Sequence, residues 1–164
     1  MSLQPQPAYV IPDETRRIAH AAFHKDALCL RLVEALGQLY LDEQFAALFP
    51  TRSRPVASPA RLTLVLVLQY MEGLSDRQAA DAVRGRVDWK YALRLELTDP
   101  GFDHTMLSEF RTRLVAKEAD RLVLDTLLDR LRKLELIKQR GRQRTDSTLL
   151  PGASPMRLLA PPSR

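Results

Sequence analysis

The stretch RLTLVLVLQYMEG, residues 61–73, constrains the fold of this chain more than any other. It is apolar nearly all round and so offers no face to water. Periodicity alone does not separate a buried helix from a buried strand in such a run. The flanks do: Pro59 stands where helices start and Gly73 where they stop. The run predicts a helix at the centre of a core, with the rest of the chain wrapped around it. Its longest unbroken apolar segment, LTLVLVL at 62–68, is far short of the roughly 20 residues a membrane helix needs.

The wrapping must come from a chain of 164 residues, 45% hydrophobic and 27% charged, enough for one domain or a domain plus appendages. Gly is scarce, at 6, and Leu abundant, which favours helices. IPDETRRIAHAAF opens with Pro12 and Asp13 and predicts a helix of about ten residues. In KDALCLRLVEALGQLY, Leu28, Leu32, Leu36, Leu39 and Tyr40 recur at helical steps and predict one apolar face. FPTRSRPVASPA, residues 49–60, holds three prolines and reads as a loop. In LSDRQAADAV, Ser75 is an N-cap, Gln78 completes a capping-box pattern, and Ala79, Ala80 and Val83 form a small inner face. VDWKYALRL predicts a short helix with Asp88 near its start, TDPGFDHT a loop, and MLSEFRTRLV a helix with Leu107, Phe110 and Leu114 inward. Beyond Ala119, Leu124, Leu127, Leu128, Leu131 and Leu134 mark one face of a longer helix ending near Ile137. The expected fold class is all-α: a bundle of six or seven helices followed by a short disordered tail. Residues 149–164 carry four prolines and no useful period.

A single cysteine, Cys29, excludes an internal disulfide and fits a reducing compartment. No apolar segment follows a basic start at the N-terminus, so a cytoplasmic protein is expected. Residues 1–136 carry 19 basic and 19 acidic side chains, whereas residues 137–164 carry six basic and one acidic. The whole net charge of +5 therefore lies in the tail. Such a tail suits a polyanion, most often nucleic acid, or serves as a solubilising end. Residues 75–94 read as a helix-turn-helix-like unit that breaks at RGR. In that arrangement the second helix lies in the major groove, where Arg84, Arg86, Lys90 and Arg94 reach phosphates or bases. An ordinary hairpin with solvated charges and with Trp89 and Tyr91 as core and rim is the alternative. His20 and His24 stand four apart, a spacing that metal ligands use, with Cys29 nearby; nothing completes a metal site. There is no Ser-His-Asp arrangement and no phosphate-cradling Gly-rich loop. Asp146, between Thr145 and Ser147, reads by itself as a turn or a cap.

The text EGLSDRQAADAVRGRVDWKYALRLELTDPGFDHTMLSEFRTRL, residues 72–114, followed by GRQRTDST, residues 141–148, resembles the N-terminal part of the insertion-sequence transposases that carry a DDE catalytic domain. The likeness covers roughly residues 10–148. It implies a helical DNA-binding domain at 1–137, then a basic linker and the remnant first strand of an RNase-H-like domain at 138–148. Residues 149–164 depart from the family pattern and are expected to be a disordered, out-of-frame tail. The partner implied is double-stranded DNA at the element's terminal inverted repeats, with the chain itself or a full-length transposase as a further partner and no membrane. Candidate DNA contacts are Arg77, Gln78, Arg84, Arg86 and Lys90, with Arg140, Arg142 and Arg144 adding non-specific affinity. Asp146 matches the first acidic residue of the family's RTDST motif. Two-metal phosphodiester chemistry needs several carboxylates to hold Mg²⁺ ions about 3.5–4 Å apart. Residues 147–164 contain no Asp, Glu, His or Cys, so Asp146 has no partner beyond it. The resemblance thus implies a truncated, frameshifted transposase that is catalytically incomplete, with Mg²⁺ expected only for a full-length family member. A stand-alone DNA-binding regulator and a helical protein-interaction module are the other readings. A supercoiled-plasmid assay with Mg²⁺ or Mn²⁺ is expected to show no nicking; turnover abolished by Asp146→Ala contradicts this.

Overall fold

A computed structural model describes residues 9–49 and 57–135. Among these there are seven α-helices, one 3-10 helix and no strand, so the fold is all-helical. The helices are α1 (Asp13–Ala22), α2 (Leu28–Leu36), the 3-10 helix (Asp42–Leu48), α3 (Pro59–Glu72), α4 (Asp76–Gly85), α5 (Val87–Leu93), α6 (Thr105–Ala116) and α7 (Asp120–Lys133). None is long and apolar enough to cross a membrane. The residues from 136 onward, where a basic linker, a remnant first strand and a disordered tail are expected, lie outside the described residues.

The apolar run is a helix, α3, and it packs against the 3-10 helix, α4, α5 and α6. Ser58 starts it: its hydroxyl oxygen accepts the Arg61 amide at 3.2 Å, with Pro59 in the first turn. Gly73 ends it in the left-handed conformation, φ 65°, and the Leu74 amide reaches back to the Gln69 carbonyl at 3.0 Å. Only glycine takes that turn without crowding its own Cβ. Leu62, Val65 and Leu68 are buried, but Tyr70 and Met71 face solvent. The helix is therefore buried on most of its circumference rather than all of it.

Asp42 fastens the start of α3 to the 3-10 helix. It is 2% exposed, and its carboxylate accepts the Ser58 hydroxyl (2.6 Å), the Ala60 amide (3.0 Å) and the Tyr9 hydroxyl. The negative charge also faces the positive end of the α3 dipole.

Helix α5 is only seven residues long, yet all of Asp88–Leu93 is buried. It packs against α1, α2, α3 and α4. Its end is a left-handed Arg94, φ 56°, closed by the Leu95 amide on the Lys90 carbonyl at 2.9 Å. A non-glycine residue there is strained by about 1 kcal/mol or more. Arg61 compensates by donating to the Leu93 carbonyl (3.0 Å) and the Arg94 carbonyl (2.8 Å), while Arg94 itself donates to the Tyr9 carbonyl (2.7 Å). Two arginines from the sequence's balanced half are thus used to close a helix.

Three sequence expectations change. In α2 the inward face is Cys29, Leu30, Val33 and Leu36, while Leu28 is exposed. The helix stops at Gly37, φ 61°, so Leu39 and Tyr40 reach the core from beyond its end. The 3-10 helix carries Phe45 and Leu48 into the core, and the sequence reading did not find it. Helix α7 has no fully buried residue, and Leu124 is 54% exposed. By contrast, Leu107, Phe110 and Leu114 of α6 all point inward as their spacing predicts.

Asp42→Ala strands three donors, the buried Ala60 amide among them, and is expected to lower stability by about 2–3 kcal/mol in urea titration. A loss within about 0.5 kcal/mol contradicts the anchoring role of Asp42.

Candidate nucleic-acid interface

The two-helix unit at 75–94 consists of α4, a turn at Arg86 and α5. Ser75 caps α4 as its pattern predicts: the Gln78 amide donates to the Ser75 hydroxyl (3.3 Å), and the Ser75 amide donates to the Gln78 side-chain carbonyl (2.9 Å). Ala79, Ala80, Ala82 and Val83 are buried, so the backbone of α4 lies close to its neighbours α3, α5 and α6. Arg77, Gln78, Asp81 and Arg84 stay on the outside.

The second helix is where sequence and structure part. A recognition helix needs a free face, and α5 has none, since Asp88 to Leu93 are all buried. The Lys90 ammonium donates to the Asp99 carbonyl at 2.6 Å, the residue is 3% exposed, and burial pushes its pKa down. Lys90 is thus an interior cation and not a groove contact. Trp89 is 0% exposed and Tyr91 4%, so both are core, where a rim position had been expected for one of them.

Arg86 is half-exposed but likewise committed to partners within the domain. Its guanidinium donates to both oxygens of Glu72 and to both oxygens of Asp88, the latter at 3.1 and 2.6 Å. The Trp89 indole N–H donates to the same Glu72 carboxylate at 3.1 Å, and the guanidinium carbon lies 5.4 Å from the Trp89 ring centroid. The Asp88 bonds, followed by those of Glu72, hold the Arg86 pKa above its usual value. One side chain therefore joins the end of α3 to the start of α5. This is a bidentate geometry that lysine cannot reproduce.

The remaining candidates divide. Arg77 is exposed and has no carboxylate partner among the described residues. Arg84 is exposed and bends over Asp81 (3.4 Å) and the Pro100 carbonyl (3.3 Å), contacts weak enough for phosphate to displace. Arg94, also weighed as a contact, is half-buried and tied to Tyr9. Arg140, Arg142, Arg144 and Asp146 lie outside the described residues. The sequence reading overlooked Arg16 and Arg17. They are exposed on α1 opposite the buried Thr15 and Ala19, a placement the helical period of that segment already carried.

Among the described residues, His20 and His24 belong to no group of three ligand atoms. Helix α1 ends at Ala22, which leaves His24 beyond it, while His20 sits edge-on to Tyr91 with ring centroids 5.4 Å apart. Among the described residues, Cys29, Glu72 and Asp88 place ligand atoms within 4.8 Å of one another. That set does not fit Mg²⁺. The Arg86 guanidinium already occupies both carboxylates. Burial pushes the Cys29 thiol up to about 12, so it stays a soft, protonated group.

The family model Transposase domain (DUF772) matches residues 18–113, which run from α1 into α6. No curated protein and no solved structure matches the chain. The match spans more than half of the sequence, and the chain belongs to this transposase-domain family.

Arg86→Ala leaves Asp88 and Glu72 without their cation and is expected to cost about 2–4 kcal/mol, below a fully buried pair because Arg86 is partly exposed. Arg77→Ala is expected to change stability by less than about 0.5 kcal/mol. Thermal denaturation of the two variants side by side checks the contrast; equal effects contradict it.

Proposed function

We propose that this transposase-family chain acts in transposition by binding double-stranded DNA at an element's terminal inverted repeats, with the outer face of α4 against the duplex. One observation carries the reading: in a domain matched by a transposase family model, α5 is sealed inside and α4 alone of the two-helix unit offers cations outward. Arg77 and Arg84 lie seven residues apart, two turns along one helix face, and Gln78 lies beside Arg77. Such a row suits a groove edge and its phosphates. Arg86 and Lys90 leave the contact set because their charges are satisfied internally.

Charge placement gives the second support. The described residues carry 17 basic and 19 acidic side chains, a balance of −2, because the 19 basic residues of 1–136 include Arg52 and Arg54. The helical body by itself is not drawn to a polyanion. Lys138, Arg140, Arg142 and Arg144 supply that attraction, and α4 supplies orientation. Asp146, which matches the first carboxylate of the family's RTDST motif, takes no part in this binding.

Fluorescence anisotropy with repeat and scrambled duplexes at several salt concentrations tests this. Replacing Arg140, Arg142 and Arg144 together by Ala is expected to flatten the log–log salt slope by about 3, equally for both duplexes. Arg77→Ala is expected to weaken repeat binding by roughly tenfold with the salt slope changed by about 1 at most. Affinity that ignores salt contradicts the reading, as does equal affinity for the two duplexes.

A further inference from the structure

Among the described residues, helix α7 is attached to the domain by one side only. The Tyr40 hydroxyl donates to the Val123 carbonyl at 3.1 Å, and the Arg130 guanidinium donates to the Leu36 carbonyl at 3.1 Å. Val123, Leu127, Leu131 and Leu134 pack against the core from that side. Between α7, α2 and α3 an open groove of about 450 Å³ remains, lined mostly by apolar side chains such as Leu32, Val67, Leu127 and Leu131. Its rim carries exposed Leu28 (43%) and Met71 (50%). Along the open edge of α7, Leu124, Leu128 and the groove-lining Leu131 recur at steps of four and three, which is a coiled-coil seam spacing. Leu124 is 54% exposed.

We infer that this edge of α7 is a self-association seam that takes α7 of a second copy, antiparallel, about a two-fold axis near Leu128. The charges choose that occupant. Asp125 and Arg132 are seven residues apart and so occupy the same flank of the seam. In an antiparallel pair centred near Leu128, Asp125 of each copy lies opposite Arg132 of the other, and Leu124 opposite Leu131. A two-fold axis makes each contact twice. A parallel pair would instead set Asp125 of each copy beside Asp120 of the other, two like charges. The acidic Asp120 and Asp125 also stand in the N-terminal half of α7, and Arg130, Arg132 and Lys133 in the C-terminal half, so antiparallel packing opposes unlike ends. Arg132 now lies 2.8 Å from Asp129, an exposed pair that yields at little cost. Helix α7 is about 21 Å long, and two such helices with the groove rim bury less than the ~800 Å² per partner of a standard interface. The dimer is therefore weak, with a dissociation constant on the order of micromolar. This inference does not rest on DNA binding.

Sedimentation equilibrium of the full chain without DNA, with circular dichroism to confirm the fold of each variant, is the test. A monomer–dimer equilibrium is expected, weakened roughly tenfold or more by Leu124→Glu. Asp125→Arg and Arg132→Asp are each expected to weaken it roughly three- to tenfold, and the two together to restore it. A chain that stays monomeric up to about 100 µM overturns the proposal, that limit lying well above the expected constant. So does a dimer that Leu124→Glu leaves intact, or a charge swap that fails to restore what each single change removes.

Discussion

A guanidinium held between two carboxylates determines how this domain presents itself. Arg86 sits at the turn between α4 and α5, and its bonds to Glu72 and Asp88 tie that turn to the end of α3. Trp89, bonded to the same Glu72, is drawn fully inside. Once α5 is fixed in this way its remaining side chains have no route to solvent, and Lys90 must find the Asp99 carbonyl as its partner. Helix α4, with its inner face of alanines, then lies close over the core with its long polar side chains outward. What could be a groove-entering helix is decided by burial rather than by the count of cations.

Much of this was legible in the sequence. The pattern of capping, with Ser75 and Gln78, gave the start of α4, and Pro59 and Gly73 bounded α3. These are local signals, satisfied within a few residues, and tertiary context seldom overrides them. The fate of Arg86 and Lys90 was not legible, because a basic residue in a short amphipathic segment looks the same whether its partner is phosphate or Glu72, fourteen residues away. The inward face of α2 was misread for a related reason. Leu28 and Leu32 fit a helical period, but the period is satisfied equally by Cys29, Leu30, Val33 and Leu36, and only packing against α5 chooses between them. The 3-10 helix lacked any signal of its own beyond a polar start and two apolar residues.

The chain divides its labour by charge. Its described residues are slightly acidic and hold shape, while the cations of residues 137–164 give the net charge. On the proposed function, affinity and orientation fall to different segments and can be altered separately. The buried cluster of Cys29, Glu72 and Asp88 belongs to the first task. Both of its carboxylates accept from Arg86, which ties them into the fold.

On the proposed function α4, and not α5, faces DNA. Amide hydrogen exchange of the full chain, with and without repeat duplex, addresses it most directly. The account predicts that the amides of Val87–Leu93 exchange slowest in the free protein and do not change on binding, whereas Asp76–Gly85 gains protection. DNA-dependent protection of Val87–Leu93, with Asp76–Gly85 unaffected, would contradict it.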